Sequence, residues 1–258
     1  MRLPSPSALL LSVALLGTAP LASAQAQART GPAIEPEAVA ALARMGGYLQ
    51  TLQTFSVRGA AWSDQVLPQG PNVRYDSTST MELVRPDHVR AEQSSDRRHR
   101  QVVYDGKTLS LYSKSSGYYV QAPASVSLQQ LASNLQGEYG LDLPVLQLLA
   151  WADESGPRPS LQLARVVGLA TIAGVPCDQY VFREADSDWQ VWVQRGPQPV
   201  PRRVVRTAIG NSARPQSSAD FEWTVNPAIA ATDFQFKAPP GAISIPLARV
   251  KELAGPRP

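Results

Sequence analysis

Few side chains in this 258-residue chain are of the types that bind metals or act as nucleophiles and bases. The two histidines, His88 and His99, lack the HxH and HExxH spacings that bring two imidazoles to one metal ion. The single cysteine, Cys177, excludes an internal disulfide and a multi-cysteine zinc or iron–sulfur site. We expect Cys177 to be a buried small apolar residue, with an intermolecular disulfide or a reactive thiol as the alternative. These residue types predict no metal site and no cofactor.

Paired carboxylates, which can serve as general acid and base, occur in the chain as Asp186 and Asp188. They lie in a predicted turn, where solvation is the simpler interpretation of two neighbouring acids. The sequence also lacks the GxSxG, Walker and GxGxxG motifs. We therefore predict a protein that is not an enzyme. An enzyme would need a polar cluster assembled from distant strands, for instance Arg58, Glu92 and Asp188.

The net charge of the chain is small: it has 24 basic and 21 acidic residues, which gives a formal net charge of +3. This is too little to argue for nucleic-acid binding. The densest charged segment is Asp96-Arg97-Arg98-His99-Arg100, which lacks the interleaved aromatic residues of a nucleic-acid-binding stretch. We interpret it as a hairpin tip in water, with contact to anionic lipid headgroups as the alternative.

The N-terminus has the three parts of a secretory signal peptide, which we predict over residues 1–24. Arg2 precedes an apolar run at 8–16, and the small residues around Ala24 suit cleavage after that position. The run is much shorter than the roughly 20 residues that span a bilayer, so an uncleaved anchor is the lesser alternative. Since no cysteine follows the cleavage region, we predict a periplasmic protein that is not a lipoprotein. Residues 25–35 are predicted to be a flexible leader.

Hydrophobic periodicity changes several times along the mature chain and divides it into elements. An apolar stripe at three- and four-residue steps predicts a helix over 36–52, although Gly46-Gly47 should weaken or bend it. Alternating residues then predict about six short strands, with an Asp105-Gly106 hairpin turn among them. Two helices are predicted within an insertion at 123–155, and five further strands follow. A final short pair at Phe234 and Phe236 closes the pattern.

This order of elements predicts an α+β fold, with one domain over 36–245 and a loose tail at 246–258. Its core would be a curled antiparallel sheet of about eleven strands, because so large a sheet usually curls or closes on itself. The N-terminal helix and the inserted helical pair must cover the concave face of that sheet. The tryptophans would then belong to the core or, less simply, line a cavity below the helices.

Three segments carry motifs in a fixed order: an Arg-Pro turn within 83–89, an Asp-Gly-Lys-Thr-Leu hairpin within 103–112 and a closing Phe-Gln-Phe-Lys-Ala-Pro-Pro-Gly segment within 232–241. In these segments the chain resembles the bacterial periplasmic lipoprotein-carrier-like (LolA/LolB-like) superfamily, whose closing strand has the similar pattern Phe-x-Phe-x-Pro-Pro-x-Gly. Segments 174–180 and 188–196 are similar to an uncharacterised family of predicted periplasmic proteins that shares this fold.

The resemblance implies an unclosed half-barrel with a helical lid over an apolar cavity that takes acyl chains. In the carrier the arginine of the Arg-Pro turn holds the lid shut through backbone carbonyls, and Arg85 occupies that position here. The implied function is that of a non-enzymatic periplasmic carrier, which binds a lipid or acylated ligand and does not span the membrane. The alternative is an envelope sensor or scaffold that binds a protein partner through the half-barrel. The candidate ligand and lid residues are Arg85, Val89, Leu146, Leu149, Trp151, Trp189 and Trp223.

Overall fold

The computed structural model describes residues 33–139, 141, 143, 145–146, 149 and 160–247. Within these residues the fold is α+β, as predicted. Two helices are α1 (Pro36–Thr51) and α2 (Leu128–Tyr139). The strands are β1 (Thr54–Val66), β2 (Asn72–Val84), β3 (His88–Ser95), β4 (His99–Asp105), β5 (Thr108–Ser113), β6 (Tyr118–Pro123), β7 (Leu163–Ile172), β8 (Val175–Arg183), β9 (Ser187–Gln194), β10 (Pro201–Ala208), β11 (Gln216–Val225) and β12 (Ile243–Ser244).

All twelve strands belong to one curled, unclosed sheet, in the order β12-β6-β5-β4-β3-β2-β1-β11-β10-β9-β8-β7. Neighbours are antiparallel except β12 and β6, which run parallel. The six strands predicted before the insertion and the five after it are confirmed as β1–β6 and β7–β11. The longest strands, β1 and β2, have 13 residues each and form the middle of the sheet. The predicted half-barrel is therefore confirmed, with one strand more than expected.

The predicted hairpin turn at Asp105-Gly106 joins β4 to β5. The carboxylate of Asp105 accepts hydrogen bonds from the backbone N–H groups of Lys107 and Thr108, at 3.0 and 2.7 Å. Gly106 has a φ of +84°, in the left-handed region that favours glycine. This turn sets the register in which Tyr104 lies opposite Leu109. It thereby places both side chains on the same face of the sheet.

One face of the sheet packs against the helices and is called the helix-covered face here. On β1 and β2 the directly opposed pairs Phe55–Leu83 and Val57–Met81 lie on it, and all four side chains are buried. Further along the same face, the opposed residues become small or polar, as in Gly59 opposite Ser79. The apolar half of this face is the half that the helices can cover without burying unpaired polar groups.

Both predicted helical regions contribute to the core under this face. Ala38, Ala41, Met45 and Leu49 form the buried stripe of α1, which continues through the glycine pair. The described buried residues of α2 and of the segment that follows are Leu128, Leu131, Ala132, Leu135, Tyr139, Leu141, Leu143, Val145, Leu146 and Leu149. Residues 145, 146 and 149 are helical, as predicted for the second inserted helix, whereas its predicted ends at Pro144 and Trp151 lie outside the described residues.

The prediction of a final strand pair at Phe234 and Phe236 is wrong. Ala231–Phe234 is a short 3-10 helix, and the last strand is β12, where Ile243 pairs with Tyr118. The helix forms because the carboxylate of Asp233 accepts a hydrogen bond from the Ala230 N–H, closing a tight turn. The two phenylalanines instead act as anchors, each with an aromatic neighbour in the sheet: the Phe234 ring meets His88 at 5.3 Å and the Phe236 ring meets Tyr119 at 5.4 Å.

The end of the predicted leader is attached to the sheet. Of residues 25–35 the structure describes 33–35, and these lie along β7, where Ile34 forms a parallel bridge with Ala164. The Glu35 N–H donates to the Ala164 carbonyl at 2.8 Å, and a Glu35 carboxylate oxygen accepts the Val166 N–H at 2.8 Å. Glu35 thus connects the start of α1 to the edge of the sheet.

The stacked pair Phe182–Trp189, with ring centroids 4.3 Å apart and both side chains buried, predicts a strong effect of truncation. We expect Phe182→Ala to lower the free energy of unfolding by about 3–5 kcal/mol, because it removes a buried ring and leaves a cavity. Urea denaturation followed by tryptophan fluorescence measures this change. Leu169→Ala is the control, since Leu169 is 74% exposed and its truncation should change stability by at most about 0.5 kcal/mol. Equal effects of the two changes would contradict the prediction.

Candidate functional site

Arg85 contacts two backbone carbonyls at the C-terminal end of α1. Its Nε donates to the carbonyl of Leu52 at 3.0 Å and its Nη2 to that of Leu49 at 3.4 Å. Leu52 is the C-cap residue directly after α1, and the last carbonyls of a helix have no hydrogen-bond partner within the helix. The guanidinium supplies both a charge suited to the negative end of the helix and the missing donors. Arg85 therefore fixes the N-terminal helix to the end of β2.

The other candidate residues lie mostly within the packed core. Val89, Leu146, Leu149 and Trp189 are at most 2% exposed. Trp223 is half-buried: its ring lies 5.4 Å from that of Phe55, and its Nε1 donates to a backbone carbonyl at 2.7 Å. Trp151 lies outside the described residues. None of the candidates that the structure describes lines either of the two cavities described below.

Of the three residues named as a possible catalytic cluster, Glu92 and Asp188 lie on distant strands, whereas Arg58 lies on β1, two strands from Glu92. Glu92 on β3 contacts His99 and Lys114, and these two contacts outweigh the effect of burial, so that the pKa of Glu92 is lowered. Asp188 on β9 pairs with Arg183. Between β3 and β9 the sheet advances by five strand spacings, which is roughly 24 Å measured along the curled sheet. Among the described residues there is also no group of three or more histidine, cysteine or acidic side chains placed to hold a metal.

Cys177 is a buried residue, as predicted. Its Sγ lies 3.4 Å from the Val175 carbonyl, and burial raises the pKa of the thiol above its usual value. A thiol with a raised pKa has little thiolate and is correspondingly unreactive. Cys177 thus serves the packing of β8 rather than a reaction.

A cavity of about 300 Å³ opens where α2 ends over strands β4–β6, and it is called the α2 pocket here. Its floor is apolar and includes Leu111, Val120 and Leu141, all at most 7% exposed. Tyr139, in the last turn of α2, and Ile245, just after β12, complete the apolar wall. Cavities of this size with mostly apolar linings are the usual form of small-molecule sites in proteins.

Three arginines line the same pocket. Arg97 and Arg98 come from the turn between β3 and β4, and Arg100 follows on β4, with its Nη1 at 3.5 Å from the carbonyl of Tyr139. Burial and the charge of Arg98 lower the pKa of the Arg100 guanidinium. Arginine nevertheless keeps its proton, so the mouth of the pocket is positively charged.

The arginine cluster is visible in the sequence, whereas the pocket beside it is not. The cluster was expected to be a hairpin tip in water, and Arg97 and Arg98 are indeed exposed. The register places Arg100 opposite Ser113 and Ser113 opposite Tyr118, on the helix-covered face. Only this pairing, together with the position of Tyr139, brings the cluster to the mouth of a cavity.

A second cavity, a groove of about 740 Å³, lies on the face of the sheet opposite the helices. Its walls include the indoles of Trp62 and Trp192, and its floor carries the Arg203–Asp220 ion pair. The Arg203 guanidinium donates to both carboxylate oxygens of Asp220, so these two charges satisfy each other. The groove therefore offers paired charges and hydroxyl groups in place of an apolar floor.

The sequence matches the model of a family described as predicted periplasmic protein (DUF2092) over residues 38–248. The chain belongs to this family. The match includes both cavities and confirms the resemblance drawn from segments 174–180 and 188–196. No curated protein is significantly similar to the chain in sequence. In the part of the chain that the structure describes, no helix is long and apolar enough to cross a bilayer.

Solved structures similar to this member of the family include proteins of the superfamily suggested by its motifs. The Mycobacterium tuberculosis lipoprotein LppX is 11% identical, with a TM-score of 0.47 over 76% of this chain and 99% of that one. LprF from Mycobacterium bovis is 12% identical, with a TM-score of 0.43 over 78% and 98%. A LolA superfamily protein from Nitrosomonas europaea is 12% identical, with a TM-score of 0.38 over 77% and 97%.

The two hydrogen bonds of Arg85 predict a local effect of its removal. In Arg85→Ala we expect the backbone amides of the last turn of α1, within 46–52, to exchange about tenfold faster, because bonds from a charged donor contribute about 1.5–3 kcal/mol. Hydrogen exchange read by mass spectrometry measures the change. Amides of α2 should be unaffected, and Arg195→Ala, which removes a distant exposed arginine, is the matched control. Faster exchange in α2 with no change in α1 would contradict this assignment.

Proposed function

We propose that the protein is a non-enzymatic periplasmic binding protein that holds an apolar or acylated ligand in the α2 pocket, between sheet and helices. The observation that carries the proposal is the apolar floor of that pocket, which lies where α2 ends over the sheet. Burial of an alkyl chain against this floor contributes about 0.8 kcal/mol for each CH₂ group removed from water.

The way in which α2 is attached supports this role. The Tyr104 hydroxyl donates to the Val126 carbonyl at 2.9 Å and accepts the Val126 N–H at 3.0 Å. Ser127 and Gln130 cap the first turn reciprocally: each side-chain oxygen accepts the backbone N–H of the other residue. The start of α2 is thus fixed by four hydrogen bonds, whereas its end forms the wall of the pocket. That end is also held to the sheet, because Arg100 donates to the Tyr139 carbonyl, so the wall of the pocket has a defined position.

The test is to purify the mature protein from periplasm and to identify bound molecules by native mass spectrometry and lipid extraction. We expect a bound apolar or acylated molecule in the unaltered protein and its loss in Val120→Phe, because the added ring fills the pocket. Val205→Phe makes the same change in the groove on the opposite face and should keep the ligand. Thermal unfolding of both variants separates loss of binding from loss of fold.

Absence of any bound apolar molecule from the unaltered protein would overturn the carrier proposal. If a protein partner were reproducibly cross-linked while no lipid was retained, the envelope sensor or scaffold function would replace it. Retention of the ligand in Val120→Phe would place the ligand elsewhere than in the α2 pocket.

The proposal also requires export. We expect the mature chain in the periplasm to begin near residue 25, after cleavage of the signal peptide at Ala24, and to carry no lipid on its N-terminus. N-terminal sequencing and intact mass of the protein from a periplasmic extract measure both properties. A chain that kept residues 1–24 would contradict this part of the proposal.

A further inference from the structure

We propose that the α2 pocket selects an amphiphile with one alkyl chain and one anionic head group, either a carboxylate or a phosphate. This inference rests on the proposed function and names the chemical class of ligand for the same pocket. It is carried by the position of three arginines at the mouth of an apolar cavity.

The lining divides into an apolar and a charged part. Leu111, Val120 and Leu141 are buried at the floor, whereas Arg97 and Arg98 are exposed at the mouth. A molecule that satisfies both parts must have an apolar body directed inward and a polar group directed toward the solvent. This is the description of an amphiphile rather than of a sterol or an uncharged hydrocarbon.

The sign of the charged part follows from its composition. Among the described residues that line the pocket, none is acidic, while three are arginines. A cationic head group would therefore meet like charge, whereas an anionic one would meet charge of the opposite sign.

The geometry of arginine favours carboxylate or phosphate as the anion. A guanidinium presents parallel N–H donors that match the oxygens of these groups in a bidentate arrangement. The hydroxyls of Ser113 and Ser116 line the same rim and can donate to further oxygens.

The volume limits the number of chains. A cavity of about 150 Å³ is enough to hold one benzene ring, so the α2 pocket of about 300 Å³ has room for one alkyl chain of medium length. It has no room for two or three acyl chains side by side.

Isothermal titration calorimetry with four probes tests the inference on the full mature chain, below the concentrations at which the probes form micelles. Dodecyl phosphate and laurate combine a chain with an anion, dodecanol has the chain alone, and inorganic phosphate has the anion alone. We expect both anionic amphiphiles to bind at least about tenfold more tightly than dodecanol, since hydrogen bonds to charged groups are the stronger class. Inorganic phosphate should bind weakly or not at all.

The double variant Arg97→Gln with Arg98→Gln assigns the selectivity to the rim. It should lower affinity for dodecyl phosphate by about tenfold or more and leave affinity for dodecanol unchanged. Arg100 is kept, because it also donates to the Tyr139 carbonyl in the wall of the pocket. The matched control is Arg195→Gln with Arg206→Gln, which removes the same charge from the other half of the sheet and should preserve the affinity for every probe.

The outcomes separate this inference from the proposed function. Equal affinities for dodecyl phosphate and dodecanol would overturn the selectivity while leaving an apolar binding site in place. Tight binding of inorganic phosphate, or an undiminished affinity for dodecyl phosphate in the Arg97/Arg98 double variant, would also overturn it. If no amphiphile bound, both the inference and the proposed function would be wrong.

Discussion

Phe55 and Leu83 are the first opposed pair of the β1–β2 ladder on the helix-covered face, and the rest of the molecule is arranged around the apolar patch that they begin. The next rung on that face, Val57 with Met81, is also apolar, but the following one is Gly59 with Ser79. Helices can pack only where the rungs are apolar, because burying the serines without partners would cost free energy. The two long strands thus assign the helices to one half of the face and leave the other half in contact with water.

The same division explains why a cavity occurs at the end of α2. The apolar half of β4–β6 continues to Leu111 and Val120, and the next residues on that face are Arg100, Ser113 and Tyr118. The last turn of α2 reaches this boundary, with Tyr139 buried, Arg100 half-buried, and Arg97 and Arg98 exposed beyond it. An apolar floor and a charged rim meet there because the strands change character there.

Much of the fold could be predicted from the sequence, since alternation with period two and the Asp105-Gly106 turn are local signals. The error at Phe234 and Phe236 shows the limit of that reasoning. Two apolar residues separated by one position suit a strand, but they equally suit a tight turn whose side chains anchor to different partners. Two features distinguish the turn from a strand. The Asp233 carboxylate closes the turn, and the prolines that follow have no N–H to donate to the hydrogen bonds of a sheet.

The site was harder to predict than the fold, because it depends on register. Leu146, Leu149 and Trp189 are as apolar as a ligand-binding residue should be, and the structure buries them with other side chains. The residues at the mouth of the cavity were visible in the sequence only as a charged turn. Which strand ends meet, and which side of the sheet a helix covers, are long-range facts that no local pattern contains.

The attachment of residues 33–35 along β7 has a consequence for the behaviour of the protein in solution. β7 stands at one end of the strand order, and the outermost strand of an unclosed sheet presents backbone groups to which a second molecule can add. Here the Ala164 N–H and carbonyl are bonded to Ala33 and Glu35, and the Val166 N–H is bonded to the Glu35 carboxylate. A short segment of the chain's own N-terminal region therefore occupies the positions at which edge-to-edge aggregation would start.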